Sequence, residues 1–100
     1  MNSFGKRPSE SYPIEIEFKD RLPPDKTLLS ASASAINIGT GATASSTVLE
    51  STTGSVLGTR AKIVVQAGTH GVNYQLTVIA SLSGGGDLEE TLEMVVDNKA

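Results

Sequence analysis

The feature that most constrains this fold is a pair of alternating apolar runs near the C-terminus, GVNYQLTVIASLSGGGDLEETLEMVV at residues 71–96. Apolar residues stand two apart within each run. This spacing places them on one face of a β-strand and does not match the spacing of three and four that a helix needs. A glycine-rich segment, SGGGD, joins the runs, and Gly85 is expected to provide the positive φ of a tight turn. The sequence therefore predicts an antiparallel hairpin with one buried face.

Five further segments are predicted to be strands because they alternate or are bounded by turn residues. They cover residues 14–18, 27–38, 43–50, 56–57 and 60–67. In residues 27–38 small side chains occupy both faces, so the sequence leaves open which face is buried. About seven short strands separated by turns, with no convincing helical pattern, are typical of a β-sandwich.

Tyr74 adds detail to this fold prediction. It stands near the start of the penultimate strand, just after Gly71. In immunoglobulin-like sandwiches a tyrosine at this place often bonds to upstream backbone, so its hydroxyl is expected near residues 69–71. The alternative is an ordinary core aromatic residue. The predicted fold class is all-β, an immunoglobulin-like antiparallel β-sandwich of about seven short strands, with Tyr74, Gly71 and Gly85 as structural residues.

Residues 1–12 precede the first alternating segment and contain no apolar periodicity. We expect them to form an extended N-terminal arm and residues 13–100 to form the immunoglobulin-like β-sandwich domain. With little to pack against, the arm should be mobile in isolated protein and ordered on a neighbouring subunit. Four arm residues are candidate interface residues, and the two cations among them are expected to meet an acidic patch: Phe4, Lys6, Arg7 and Tyr12.

Charge is unevenly distributed along the chain. Ten of the nineteen charged residues fall in residues 1–26 and six in residues 87–100, which leaves three for the sixty residues between. Since interface cores are depleted in charge, the middle of the chain is either a solvated Ser/Thr-rich surface or a surface covered by neighbouring subunits. On the second alternative, the strand at residues 30–34 and the segment 39–46 lie in polar subunit contacts, with Ser32 and Ser45 facing outward.

Reactive side chains are scarce, because the chain has one His and no Cys. This disfavours a zinc site and excludes disulfide and thiolate chemistry. His70 lies in a glycine turn and is expected to be solvated, while Glu89 and Glu90 point to opposite faces of a strand. The glycine-rich segments lack the lysine and the following helix of a phosphate loop. We therefore expect no enzymatic activity and no catalytic, cofactor-binding or metal-binding residues.

The bulk properties also exclude several classes of partner. A net charge of −3 and a pI of about 5.0 disfavour nucleic acid. No apolar run approaches the ~20 residues of a membrane span, and the N-terminus lacks the apolar segment of a secretory signal. We expect no nucleic-acid, membrane or small-molecule partner, and synthesis without export by the general secretory route.

Two segments carry a resemblance to a known family: PIEIEFKDRLPPDKTLLSASASAI and IVVQAGTHGVNYQLTVIASLSGGGDLEETLEMVV. They resemble the charged first strand, short loop, small-residue second strand and closing hairpin of small tailed-bacteriophage virion proteins. These are single immunoglobulin-like domains of the fibre–tail adaptor or head–tail region type. The chain departs from the family pattern at Phe18 and Val64, where the family often has tryptophan.

The resemblance implies a non-enzymatic virion structural protein, synthesised in the host cytoplasm. Such a protein acts in many copies as a homo-oligomer and joins tail, fibre or head–tail components through other virion proteins. A capsid decoration protein is the nearest variant, and a β-sandwich binding module that recognises carbohydrate or a cell surface is the other alternative. Exposed aromatic platforms would favour the binding module, whereas the aromatic residues here lie in or next to predicted strands or the arm.

Overall fold

The computed structural model describes residues 2–99 and shows two β-sheets that enclose one core. Its seven strands are β1 (Asn2–Lys6), β2 (Tyr12–Glu17), β3 (Leu28–Asn37), β4 (Ser55–Leu57), β5 (Arg60–Val65), β6 (Asn73–Leu82) and β7 (Asp87–Val96). A 3-10 helix (Lys19–Arg21) and a one-turn helix, α1 (Ser45–Val48), lie in the connections. The larger sheet has the order β1-β7-β6-β3 and the smaller sheet β2-β5-β4. The predicted all-β sandwich is confirmed.

The closing hairpin forms as its alternation predicts. β6 and β7 pair in antiparallel register from Asn73 opposite Val95 to Ser81 opposite Asp87. Every second residue of β6 is buried: Tyr74, Leu76, Val78, Ala80 and Leu82. The connecting glycines have positive φ, 100° at Gly85, which side-chain-bearing residues rarely adopt. The hairpin therefore supplies one wall of the core.

The core face of β3, which the sequence left open, is its alanine face. Ala31, Ala33 and Ala35 are buried and the alternating serines are exposed. A register shift between Leu28 and Ser30 acts as a bulge, so that Leu28 also points inward although it is an odd number of residues from Ala31.

Residues 43–50 do not form the predicted strand. They contain α1, and only isolated bridges join Thr43 to Ile36 and Leu49 to Val65. Ala44 and Val48 are buried one helical turn apart, so a single turn of helix places both in the core.

The first residues of the predicted arm also differ from expectation. Asn2–Lys6 form β1, which pairs in parallel with Leu92–Val96 of β7 and makes the larger sheet mixed rather than wholly antiparallel. Only two of these five residues, Phe4 and Lys6, are shielded from solvent, so the segment shows no apolar alternation. The outer limits of the predicted arm and domain, Met1 and Ala100, lie outside the described residues.

Residues 42–54, here called the edge segment, cover the free edge of β3. On one side, the Ala33 amide donates to Thr52 O at 2.8 Å and the Gly54 amide donates to Ala31 O at 2.9 Å. On the other side, the Glu50 amide donates to β5 at Val64 O, at 3.0 Å. The segment thus connects β3 to the part of β5 that the short β4 leaves uncovered, and it protects β3 from pairing with another chain.

Candidate interaction surfaces

Lys6 lies inside its own chain and not on an exposed arm. Its side chain is fully buried, and Nζ donates hydrogen bonds to Arg7 O at 2.8 Å and to Ala67 O. Burial lowers the pKa of the Lys6 ammonium, and the negative charge of Glu10 acts in the opposite direction. In this conformation the Lys6 ammonium bonds within its own chain, and a contact with an acidic patch on a neighbour stays a prediction.

The side chain of Lys6 bonds to the turn after β5, which contains Ala67 and Gly68. Among residues 2–99, Ala67 is the one non-glycine residue with positive φ, 47°, and Gly68 follows at 99°. A left-handed residue with a Cβ costs about 1–2 kcal/mol, which the buried ammonium helps to offset by bonding the Ala67 carbonyl. A Cβ on Gly68 would lie 2.8 Å from Cγ2 of Val96, so this turn packs closely against the end of β7.

Tyr74 also bonds to this turn, at Thr69. The Thr69 amide donates a hydrogen bond to the Tyr74 hydroxyl oxygen at 3.1 Å, five residues upstream of the tyrosine. Gly71 has a φ of 82°, and its amide donates to Val96 O at 2.9 Å. The ring of Tyr74 is buried, so the residue serves both the core and the turn.

The other candidate arm residues gather around the connection between β1 and β2. Phe4 and Tyr12 are half-buried against the core, and the Tyr12 hydroxyl lies 3.4 Å from Gly5 O. Burial, followed by the charge of Glu10, raises the pKa of Tyr12. Arg7 is exposed, and its amide donates to the Glu10 carboxylate at 2.7 Å while the Glu10 amide donates to Arg7 O at 3.1 Å.

The two serines expected to face outward have different environments. Ser32 is exposed on the outer side of β3. Ser45 is half-buried, and its Oγ accepts a hydrogen bond from the Ala35 amide at 2.9 Å. The Ser45 hydroxyl thus replaces a missing strand partner at the edge of β3, and its place in a subunit contact stays a prediction.

The outer face of the larger sheet is rich in hydroxyl groups, and we call it the hydroxyl face. Two rows cross β3, β6 and β7, and they are Ser34–Thr77–Thr91 and Ser30–Ser81–Asp87. Three carboxylates of β7 also lie on it, and in residues 2–99 they form no ion pair: Asp87, Glu89 and Glu93. Such a face offers polar hydrogen-bonding groups, a negative charge and the apolar side chains of Ile36 and Ile79.

The outer face of the smaller sheet has paired charges instead. Arg60 contacts Glu15 at 3.5 Å and Glu17 at 3.3 Å, and Thr59 donates a hydrogen bond to Glu17. The hydrogen bond from Thr59 is the main cause of the lowered pKa of Glu17, which the Arg60 guanidinium lowers further. Leu57 is 78% exposed beside these pairs.

The concave regions of the surface are open to solvent. A groove between the edge segment and β5 is lined by hydroxyl groups, by Glu50 and Lys62, and by the apolar residues Ile63 and Val64. Within residues 2–99, no three His, Cys, Asp or Glu side chains converge as a metal site requires. His70 accepts a hydrogen bond from the Asn98 amide at 3.1 Å and lies 3.9 Å from Asp97. Neither helix formed by the described residues has the length and apolar character that crossing a membrane requires.

Comparison with known proteins identifies a family. The family model described as Gp77, podophage GP4 fiber-tail adaptor protein gp77, matches residues 6–95. The chain belongs to this family. Searches of curated proteins and of solved structures return no match.

Membership in this fiber-tail adaptor family makes the chain a phage virion structural protein that interacts with other virion proteins. The matched region begins at the buried Lys6 and includes the edge segment, the turn after β5 and almost all of the closing hairpin. In an adaptor the exposed faces and edges described above are the surfaces available for those interactions.

Sequence reasoning missed the contacts that join distant parts of the chain. Nothing local marks the bond from Lys6 to Ala67, because 61 residues separate the two. The turn that the Glu10 carboxylate closes was equally hidden, because residues 1–12 were predicted to be extended. Ala44 and Val48, spaced by four, were the one available signal for α1.

Proposed function

We propose that this protein is a non-enzymatic adaptor, present in several copies as a homo-oligomer, that joins fibre components to the tail. The match of residues 6–95 to the fiber-tail adaptor family carries the proposal. It favours the adaptor over a capsid decoration protein and over a carbohydrate- or cell-surface-binding module.

The hydroxyl face supports association without a large apolar surface. Serine and threonine side chains are short, so a neighbouring protein can approach them closely and form hydrogen bonds. The carboxylates of this face lie on β7, two strands away from the serines of β3. A neighbour seated over β3 alone therefore avoids burying an unpaired charge, which would be costly.

The proposal is tested by producing phage particles from a genome in which this gene is disrupted. We expect DNA-filled heads and tails without attached fibres in electron micrographs. Adding the purified protein to such particles together with free fibres should restore attachment. Particles with a normal set of fibres in the absence of the protein would contradict the adaptor role.

A further inference from the structure

We propose that β1 is exchanged between copies in the assembled adaptor, so that residues 2–6 of one copy pair with β7 of a second copy. The inference rests on the proposed multi-copy function. It identifies the edge of β7 as an interaction surface and a second copy of this chain as its partner.

The first reason is that β1 is weakly held. It lies at the edge of the larger sheet and pairs with β7 alone. Asn2, Ser3 and Gly5 are exposed, and asparagine and glycine are poor strand formers. Phe4 is half-buried, which leaves Lys6 as the one fully buried side chain of the strand. Few buried contacts therefore oppose local opening of this strand.

The second reason is that the vacated site would select the same strand. Loss of β1 leaves the outer edge of β7 without a strand partner from Leu92 to Val96, although β6 still pairs with its other edge, and it removes the ammonium from Ala67 O. An incoming strand must pair with the edge of β7 and donate a hydrogen bond to Ala67 O. It must also place an aromatic side chain beside Met94 and a lysine beside Val96. A second copy presents Phe4 and Lys6 at this register, so it restores every contact that was lost.

The third reason is the connection to β2. Residues 7–11 form a compact turn that the Glu10 carboxylate closes by accepting from the Arg7 amide. Pro8 restricts the preceding residue to extended conformations, which suits an open connection as well as a turn. Five extended residues span about 17 Å, which is the distance that an opened connection adds to the reach of β1. Because exchange preserves the strand contacts, only the few contacts of this turn change.

Cysteine pairing tests the exchange directly, since the chain has no native Cys. Ser3 and Glu93 are register partners, and Cα atoms on adjacent strands lie within the range that a disulfide spans. Particles are assembled from equal amounts of the Ser3→Cys and Glu93→Cys proteins and then oxidised. Exchange predicts a covalent dimer that contains one chain of each variant. The matched control, Ser3→Cys with Asp87→Cys, pairs positions six residues out of register and should give none.

A second variant removes the hydrogen bond that closes the turn. Glu10→Ala should open residues 7–11 and raise the yield of mixed dimer in solution several-fold over the same cysteine pair with Glu10. An unchanged yield would contradict the role of residues 7–11 as the hinge of the exchange. The doubly substituted Ser3→Cys/Glu93→Cys chain tests whether residues 3 and 93 are paired at all. It should form a disulfide whether β1 pairs with β7 of its own chain or with β7 of a second copy.

The outcomes separate the two proposals. Particles that contain both single variants without mixed dimer, while the doubly substituted chain forms an intrachain disulfide, would overturn the exchange and leave the adaptor function intact. Particles that lack the protein altogether would overturn the adaptor function and the exchange with it.

Discussion

At the level of single residues, the buried polar side chains Lys6 and Tyr74 form hydrogen bonds to backbone atoms and thereby stabilise a turn. Lys6 and Tyr74 both bond to the turn after β5, Lys6 by donating to Ala67 O and Tyr74 by accepting from the Thr69 amide. Buried polar groups are stable only with such partners, since an unpaired one costs about 1–3 kcal/mol. These two contacts fix the turn against the end of β7.

The Tyr74 hydroxyl is predicted to contribute to stability. Tyr74→Phe removes the acceptor of the Thr69 amide and should lower the free energy of unfolding by about 1 kcal/mol, the usual net value of one hydrogen bond. Urea denaturation measures the change. Tyr12→Phe is the matched control, because its hydroxyl bond is long, at 3.4 Å, and exposed. Equal stability of Tyr74→Phe and the parent protein would remove this role.

Glu17 is predicted to make stability depend on pH. Its folded-state pKa lies below the ordinary value of 4.5, so its contribution is present above that value and is lost as the pH falls through the folded pKa. Glu17→Gln should therefore be less stable than the parent protein at about pH 7 and nearly equal to it at about pH 2. Urea denaturation at both pH values measures this, with Glu89→Gln as control. A difference that persists unchanged in acid would contradict it.

At the level of elements, the edge segment explains part of the charge-poor middle of the chain. Its backbone bonds to β3 and to β5, and three of its side chains are buried: Ala44, Val48 and Leu49. A long charged side chain at one of these three positions would be desolvated. Part of the charge depletion therefore serves closure within the chain and requires no neighbouring subunit.

Ser45 is predicted to matter for this closure. Ser45→Ala leaves the Ala35 amide without its acceptor and should cost about 1 kcal/mol of unfolding free energy. Ser46→Ala is the matched control, since the neighbouring Ser46 is exposed and lies on the same turn of α1. Thermal denaturation compares the two variants, and identical midpoints would show that the hydroxyl is dispensable.

How far the sequence predicts each element depends on whether its cause is local. Alternation predicted the hairpin and β5 because their buried faces repeat within a few residues. It did not predict β1, whose partner β7 lies about 90 residues away along the chain, nor the turn held by Lys6. The bulge in β3 was also hidden, because alanine and serine specify register weakly.

At the level of the whole molecule, the two outer faces differ in charge. The smaller sheet pairs its charges on its own surface, whereas the hydroxyl face has carboxylates on one side and neutral hydroxyl groups on the other. An adaptor needs surfaces that stay soluble before assembly and accept partners afterwards. The hydroxyl face meets both needs.

Ser32 provides a probe of that face. Ser32→Glu places a charge at an exposed position of β3, so the monomer should fold with a change in stability below about 0.5 kcal/mol. Incorporation into particles should fall at least tenfold, as measured by immunoblotting of purified particles. Ser55→Glu, an exposed serine on the smaller sheet, is the matched control. Normal incorporation of Ser32→Glu would show that the hydroxyl face is only solvated.

Copy number in purified virions tests the central claim most directly. Quantitative mass spectrometry with isotope-labelled peptides gives the ratio of this protein to the fibre protein and to a tail protein of known abundance. A multi-copy adaptor predicts several copies per particle in a fixed ratio to the fibre protein. Less than one copy per particle, or a ratio that varies between preparations, would contradict the account.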